Sequence, residues 1–294
     1  MPSPTKPAEP PATLRRCQPA LGTLVELHLA GLPLPRLELA LASARRELAR
    51  CELHLSAHLP ANDLARLRNA PSGATLALDL RTCAVLRRAA RLSTLGDGLF
   101  DPRRTASQNA PEASSSTNHA RLPFAAAFLH LPRHRMRVLA PLDLDLGGIA
   151  KGYALDRALA SLRRAGVPSA CLNAGGDLLT HGQPARLLLR SPLAADERFF
   201  HLGTLHAGAA ATSAQTYRRH LLHPRTGKPA SSRLSYTVLA PTAWLADALT
   251  KLVALAPAQT AAGLARHRAF AASVDRQGQL RWLTPPPPAS VFTP

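Results

Sequence analysis

The sequence predicts an α+β protein, and three observations predict it. Strand-like segments come in adjacent pairs, not in strict alternation with helices, which disfavours a doubly wound sheet. Several longer stretches repeat apolar residues at helical spacing. The 294 residues are 46% apolar but only 4% aromatic, so one large domain or two modest ones can bury a sizeable core, filled mainly by Leu, Ala and Val.

The elements follow in order. Residues 1–19 contain six prolines and read as a disordered, Pro-rich tail. Residues 23–29 alternate like a strand. Residues 36–55 place Leu37, Ala40, Leu41, Ala44, Leu48 and Cys51 on one side of a long helix. A second helix over 81–95 ends at Gly96. Residues 103–123 are low in complexity and read as a flexible surface loop. Residues 136–146 hold one or two strands, halted by Gly147-Gly148. A helix over 149–165 follows, with Gly166 in the stop position. Residues 169–173 form a short strand entering the turn Ala174-Gly175-Gly176-Asp177. Strands are expected over 186–190, 200–206 and 235–240. Pro241-Thr242 then opens a helix to Leu255. A short helix and two strands complete the domain, and 284–294 form a second Pro-rich tail.

Composition excludes several classes. There are 36 basic and 18 acidic residues, a net charge of +18, yet only four of the basic residues are lysines: Lys6, Lys151, Lys228 and Lys251. The arginines are spread along the chain in runs no longer than a pair. A nucleic-acid footprint would be clustered and interleaved with aromatics, so nucleic acid is not an expected partner. A basic surface still attracts acidic or phosphorylated partners. The four cysteines lie far apart, which argues for isolated reduced thiols over a zinc site. No apolar run approaches a membrane span, and the N-terminus lacks the apolar core of a secretory signal; the expected location is the cytoplasm.

Four constellations carry possible chemistry. In Asp143-Leu-Asp145-Leu-Gly-Gly-Ile-Ala-Lys151-Gly-Tyr-Ala-Leu-Asp156 a strand runs through two glycines into a helix. Glycines let a backbone approach a ligand closely, and a helix N-terminus with a lysine in its first turn favours an anion. A tight strand-to-helix turn explains the same residues. Asn173-Ala-Gly175-Gly176-Asp177 reads as a tight turn between strands. In His220-Leu-Leu-His223-Pro-Arg-Thr-Gly227 the histidines could supply a base or bind metal, or be ordinary loop residues. In Ala246-Asp247-Ala-Leu-Thr250-Lys251 the aspartate and lysine share a helix face, as a plain ion pair also would. His54 and His58 have metal-pair spacing, but no third ligand is evident.

Together and in this order, these motifs resemble the ApbE family of FAD:protein FMN transferases. Leu21-Gly22-Thr23, the block from Arg45 through Ser56 to Asn69, Gly98-Leu-Phe-Asp101-Pro102 and Ala211-Thr212-Ser213 extend the likeness over roughly residues 18–283. The resemblance implies an ApbE-like, T-fold-like mixed sheet with packed helices in a single large domain over 20–283. It implies an enzyme that cleaves FAD, attaches FMN by a phosphoester to a Thr or Ser of an acceptor flavoprotein, and releases AMP. A family member that binds FAD without transferring is the alternative. Carried over by position, His220 is the base. Leu99, Phe100, Asp101, Asp145, Lys151 and Leu222 line the FAD. Gly148 through its carbonyl and Asp247 through its carboxylate hold Mg2+.

Four positions depart from the family pattern. Leu21 stands for Met, Ala214 for Gly, and His223 for Asp. Lys251 stands where the family has a threonine metal ligand. Thr250 is one residue early, and one residue turns a helical side chain by about 100°. An ammonium beside Asp247 would repel a divalent ion and could occupy its place. The expectation is weak magnesium binding.

Overall fold

The structure, a computed structural model, describes residues 10–104, 122–190, 199–214, 221, 223–224, 234–275, 277 and 279–294. An eight-stranded sheet carries the molecule, in the order β1 (Ala12–Ala20), β2 (Thr23–Leu32), β6 (Ser169–Ala174), β7 (Asp177–His181), β10 (Gly208–Ala214), β11 (Ser235–Ala240), β12 (Phe270–Val274), β13 (Leu280–Trp282). Every pairing in it is antiparallel, so the expected mixture holds for α with β and not for strand direction. Helices α1 (Leu34–Leu55), α4 (Ala150–Arg164) and α5 (Ala243–Leu255) cover one face.

Sequence patterning explains the layers. On β2, Val25, Leu27 and Leu29 are buried under the helices while Leu24 is 61% exposed on the other face. That is the period-2 alternation of a half-solvated strand. Toward the other end both faces are covered, and all six residues of β11 are buried. There Val238 and Ala240 point into the main core, whereas Leu239 enters a second core. A small sheet ordered β14 (Phe292–Thr293), β9 (Phe199–Leu205), β8 (Ala185–Arg190) supplies Leu187, Leu189, Leu205 and Phe292 to that second core. A third sheet, β3 (Thr75–Ala77), β5 (Arg135–Val138), β4 (Phe128–Leu131), completes the strands described. Helices α2 (Asp63–Arg68), α3 (Leu80–Leu95) and α6 (Pro257–Leu264) complete the helices described.

Several expectations are corrected. The tail expected over 1–19 is strand β1 from Ala12 onward, in nine-residue register with β2. Leu14 is the one buried residue of this edge strand, too little to set an alternation, and Pro19 is tolerated because an edge position needs no donor on its outer side. The tail expected over 284–294 ends in β14, whose Phe292 is buried against β9. Of the loop expected over 103–123, Arg103 is buried and bridges to Leu144; residues 105–121 lie outside the described residues. Strand structure after residue 136 stops at Val138, because 139–146 run along other segments of the chain without joining a sheet. No helix among the described residues is long and apolar enough to cross a membrane.

Candidate active site

The site gathers at the N-terminus of α4. Backbone bonds from Asp145 N–H to the Pro102 carbonyl (2.8 Å) and from Arg104 N–H to the Asp143 carbonyl (2.9 Å) lay residues 101–104 antiparallel to 143–145. The Asp145 carboxylate then accepts the Gly147 N–H at 2.8 Å, folding the chain into a turn. Ile149 and Ala150 both donate to the Leu146 carbonyl, and the helix begins.

Gly152, in the first turns of α4, is required by a close helix crossing. A Cβ there would lie 2.2 Å from the Ala243 carbonyl oxygen at the start of α5. Asp156, one turn on, accepts the Ala243 and Trp244 N–H groups at 2.9 Å each and so caps α5 from outside. Burial outweighs these two bonds and pushes its carboxyl up to about 6. This crossing brings Asp247 of α5 over the first turn of α4.

Asp247 is fully buried and fully engaged. Its Oδ1 accepts from Lys251 Nζ at 3.0 Å. Its Oδ2 accepts from the Gly152 N–H at 3.3 Å and from Lys151 Nζ at 3.5 Å. Burial raises this carboxyl, but the charges of Lys151 and Lys251 outweigh it and hold it below the usual range. Lys151 Nζ also lies 2.8 Å from Oδ2 of Asp177, an ion pair by charge contact more than by hydrogen-bond direction. For Asp177, burial first and the charge of Asp247 second push the carboxyl up against both lysines. Asp177 is the first residue of β7, delivered by a two-residue hairpin turn with Gly175 and Gly176 at positive φ. A Cβ on Gly175 would meet Thr23 Oγ1 at 2.5 Å, so this turn leans on the similar Leu21-Gly22 hairpin before β2.

Lys251 crosses the glycine turn. A Cβ on Gly148 would lie 3.3 Å from Lys251 Cγ, 3.6 Å from its Cε and 3.9 Å from the Phe100 ring. Thr250 donates its hydroxyl to the Asp247 carbonyl at 2.7 Å and accepts from Lys251 Nζ at 3.0 Å.

Of the residues predicted for the site, Phe100, Gly148, Lys151, Asp247 and Lys251 therefore converge. Asp145 is exposed and shapes the turn. Leu99 is in the core. Asp101 is held by the Arg103 guanidinium, which is itself anchored on the Leu122 carbonyl. His220 and Leu222 lie outside the described residues. The sequence reading missed the part played by Asp177; its place after two glycines was the available signal. Asp156 went unassigned because only the crossing of α4 and α5 reveals its role. His54 has no metal-site surroundings: it faces Asp63 and Asp79 at 3.6 Å each, and Asp63 in turn accepts from Thr82.

Magnesium, the cation the resemblance implies, does not fit this donor set. Mg2+ requires close to six oxygens in octahedral geometry at about 2.0–2.1 Å. Here both Asp247 oxygens face ammonium groups, the Thr250 hydroxyl is committed, and Lys251 offers no acceptor. Among the described residues no three His, Cys, Asp or Glu side chains are grouped to hold a metal ion.

Fold and site define a class: a helix-covered antiparallel sheet with a buried lysine–carboxylate cluster beneath a glycine turn. Within that class the chain belongs to the ApbE family, whose sequence model matches residues 21–274. It is 29% identical over 268 residues to an FAD:protein FMN transferase of Rhodobacter capsulatus, covering 80% of this chain and 50% of that protein. It is 34% identical over 123 residues to an FAD:protein FMN transferase of Klebsiella pneumoniae (strain 342), covering 38% of each. The chain thus spans half or less of the length of these two relatives. Among solved structures, the flavin transferase ApbE from Vibrio cholerae superposes with a TM-score of 0.77 at 21% identity, covering 93% of this chain and 97% of that one. The ApbE protein of Thermotoga maritima gives 0.76 at 23% identity, covering 92% and 97%. Both likenesses establish the fold.

Proposed function

We propose that the chain is an FAD:protein FMN transferase. A Thr or Ser hydroxyl oxygen of an acceptor flavoprotein attacks the phosphorus on the FMN side of the FAD diphosphate. The bond from that phosphorus to the oxygen of the AMP phosphate breaks, AMP leaves, and FMN remains on the acceptor as a phosphoester. The hydroxyl proton passes to a base, for which His220 is the candidate.

The observation that carries this reading is the convergence of Gly148, Lys151 and Lys251 at one helix start, in a chain of a family whose relatives bear this activity in their names. Glycine at 148 lets a diphosphate approach the backbone. The N-terminus of α4 and the two ammonium groups favour its charge. Lysines 17% and 22% exposed can turn a donor outward without leaving Asp247. No step is routed through a metal.

Incubation with FAD and a flavodoxin-like or redox-subunit acceptor tests the reading, followed by in-gel flavin fluorescence, acceptor mass and AMP release. His220→Ala is expected to keep FAD affinity and lose transfer by about 10²–10⁴-fold, the usual contribution of a positioned base. Unchanged transfer would remove His220 from that role. The Lys251–Asp247 pair also favours a second reading, a flavin binder without transfer; it would show as FAD binding with no AMP released.

A further inference from the structure

We infer that the Lys251 ammonium is the resident cation of this site, occupying the position that a divalent metal would need, so that the flavin diphosphate is bound without added metal. The ligand's identity rests on the proposed function; the filling of the cation position does not.

Position comes first. Lys251 is four residues after Asp247 on α5, its stem passes across Gly148, and its Nζ ends 3.0 Å from Asp247 Oδ1. Its side chain therefore packs on one of the two residues expected to hold a metal, and its ammonium pairs with the other. Thr250 is drawn into the same arrangement: its hydroxyl hydrogen goes to the Asp247 carbonyl, and its oxygen already accepts from the Lys251 ammonium.

Charge comes second. Asp177 and Asp247 are buried, and Lys151 and Lys251 balance them one for one. With a neutral side chain at 251, Asp247 would keep only Lys151, which it shares with Asp177, and its buried charge would favour an external cation. With lysine present, a divalent ion would add surplus charge beside two ammonium groups. An ammonium has three donors. Two of them serve Asp247 and Thr250, and no third partner is found among the described residues. The third can go to a phosphate oxygen.

The test uses Mn2+ as a spectroscopic probe, first without flavin, followed by electron paramagnetic resonance. The native chain should show no site tighter than millimolar. Lys251→Thr should bind Mn2+ at least about tenfold more tightly. FAD is then titrated in EDTA and in magnesium. Native affinity should agree between the two buffers within about twofold, and Lys251→Met should weaken it at least about tenfold in EDTA. Thermal melting verifies that both variants fold. Micromolar Mn2+ binding by the native chain, no gain in Lys251→Thr, or loss of native FAD binding in EDTA alone would overturn the inference. Absence of FAD binding in both buffers would overturn the proposed function, while the Mn2+ measurement would still decide the cation assignment.

Discussion

Glu47 and Asp247 are both buried carboxylates neutralised by basic side chains, yet the two clusters are built differently. Glu47 takes both oxygens to Arg81 Nη2 at 3.1 Å, accepts from Arg157 at 3.2–3.3 Å and meets Arg50 at 3.4 Å. Arg81 also reaches Asp79, which caps α3 through the Arg81 N–H. This cluster ties α1, α3 and α4 together with planar forks of fixed geometry. Burial raises the Glu47 carboxyl, and the Arg81 and Arg157 charges and bonds more than offset it. At Asp247 the partners are lysines, compact charges that can exchange one donor at a time. The comparison separates a cluster that fixes helices from one whose donors can be released singly: arginine where geometry must persist, lysine where a donor can turn away.

Three measurements can break or sharpen that comparison. The largest effect is expected for Glu47→Ala, which leaves Arg81 buried with only Asp79 for company. Urea denaturation should show a loss of about 3 kcal/mol, at the lower end for breaking a buried pair because Asp79 remains. A loss under about 1 kcal/mol would mean that the arginine cluster is no lock.

Asp247→Asn should cost less, about 1–2 kcal/mol in the same assay. The amide keeps an acceptor for the Gly152 N–H, and both lysines have a path to water. A cost equal to that of Glu47→Ala would erase the distinction between the clusters.

The smallest effect concerns the capping carboxylate between them. Asp156 has its carboxyl raised from 3.8 to about 6 in the folded chain. Between these values the folded state binds more protons than the unfolded state, so stability falls as pH rises. Relative to Asp156→Asn, the native chain should lose about 1 kcal/mol from pH 4 to pH 6 and change little above, less than the full shift implies because Asp156 keeps some contact with water. Equal slopes for the two proteins would show that the two N–H bonds hold this carboxyl down after all.

The helices and turns were legible because their signals are local. The apolar stripe of α1 from Leu37 to Cys51 is the buried face observed, and Gly96 and Gly166 end their helices as read. Asp247 and Lys251 share a face because helical periodicity puts them there, so their pairing was also readable, as was the loss of a threonine oxygen from that face. Three things were decided only in three dimensions. The edge strand β1 and the C-terminal β14 are fixed by backbone pairing, which leaves no periodic trace when a strand is exposed or only two residues long. The direction of every strand in the main sheet follows from hairpins and crossovers, not from composition. Above all, Lys151 meets Asp177 and Asp247, the second of them 96 residues away, only because Gly152 lets α4 and α5 cross closely enough for one ammonium to reach both carboxylates. Periodicity along a chain records which face of an element is buried; it carries no record of which other element buries it, and that is set by packing.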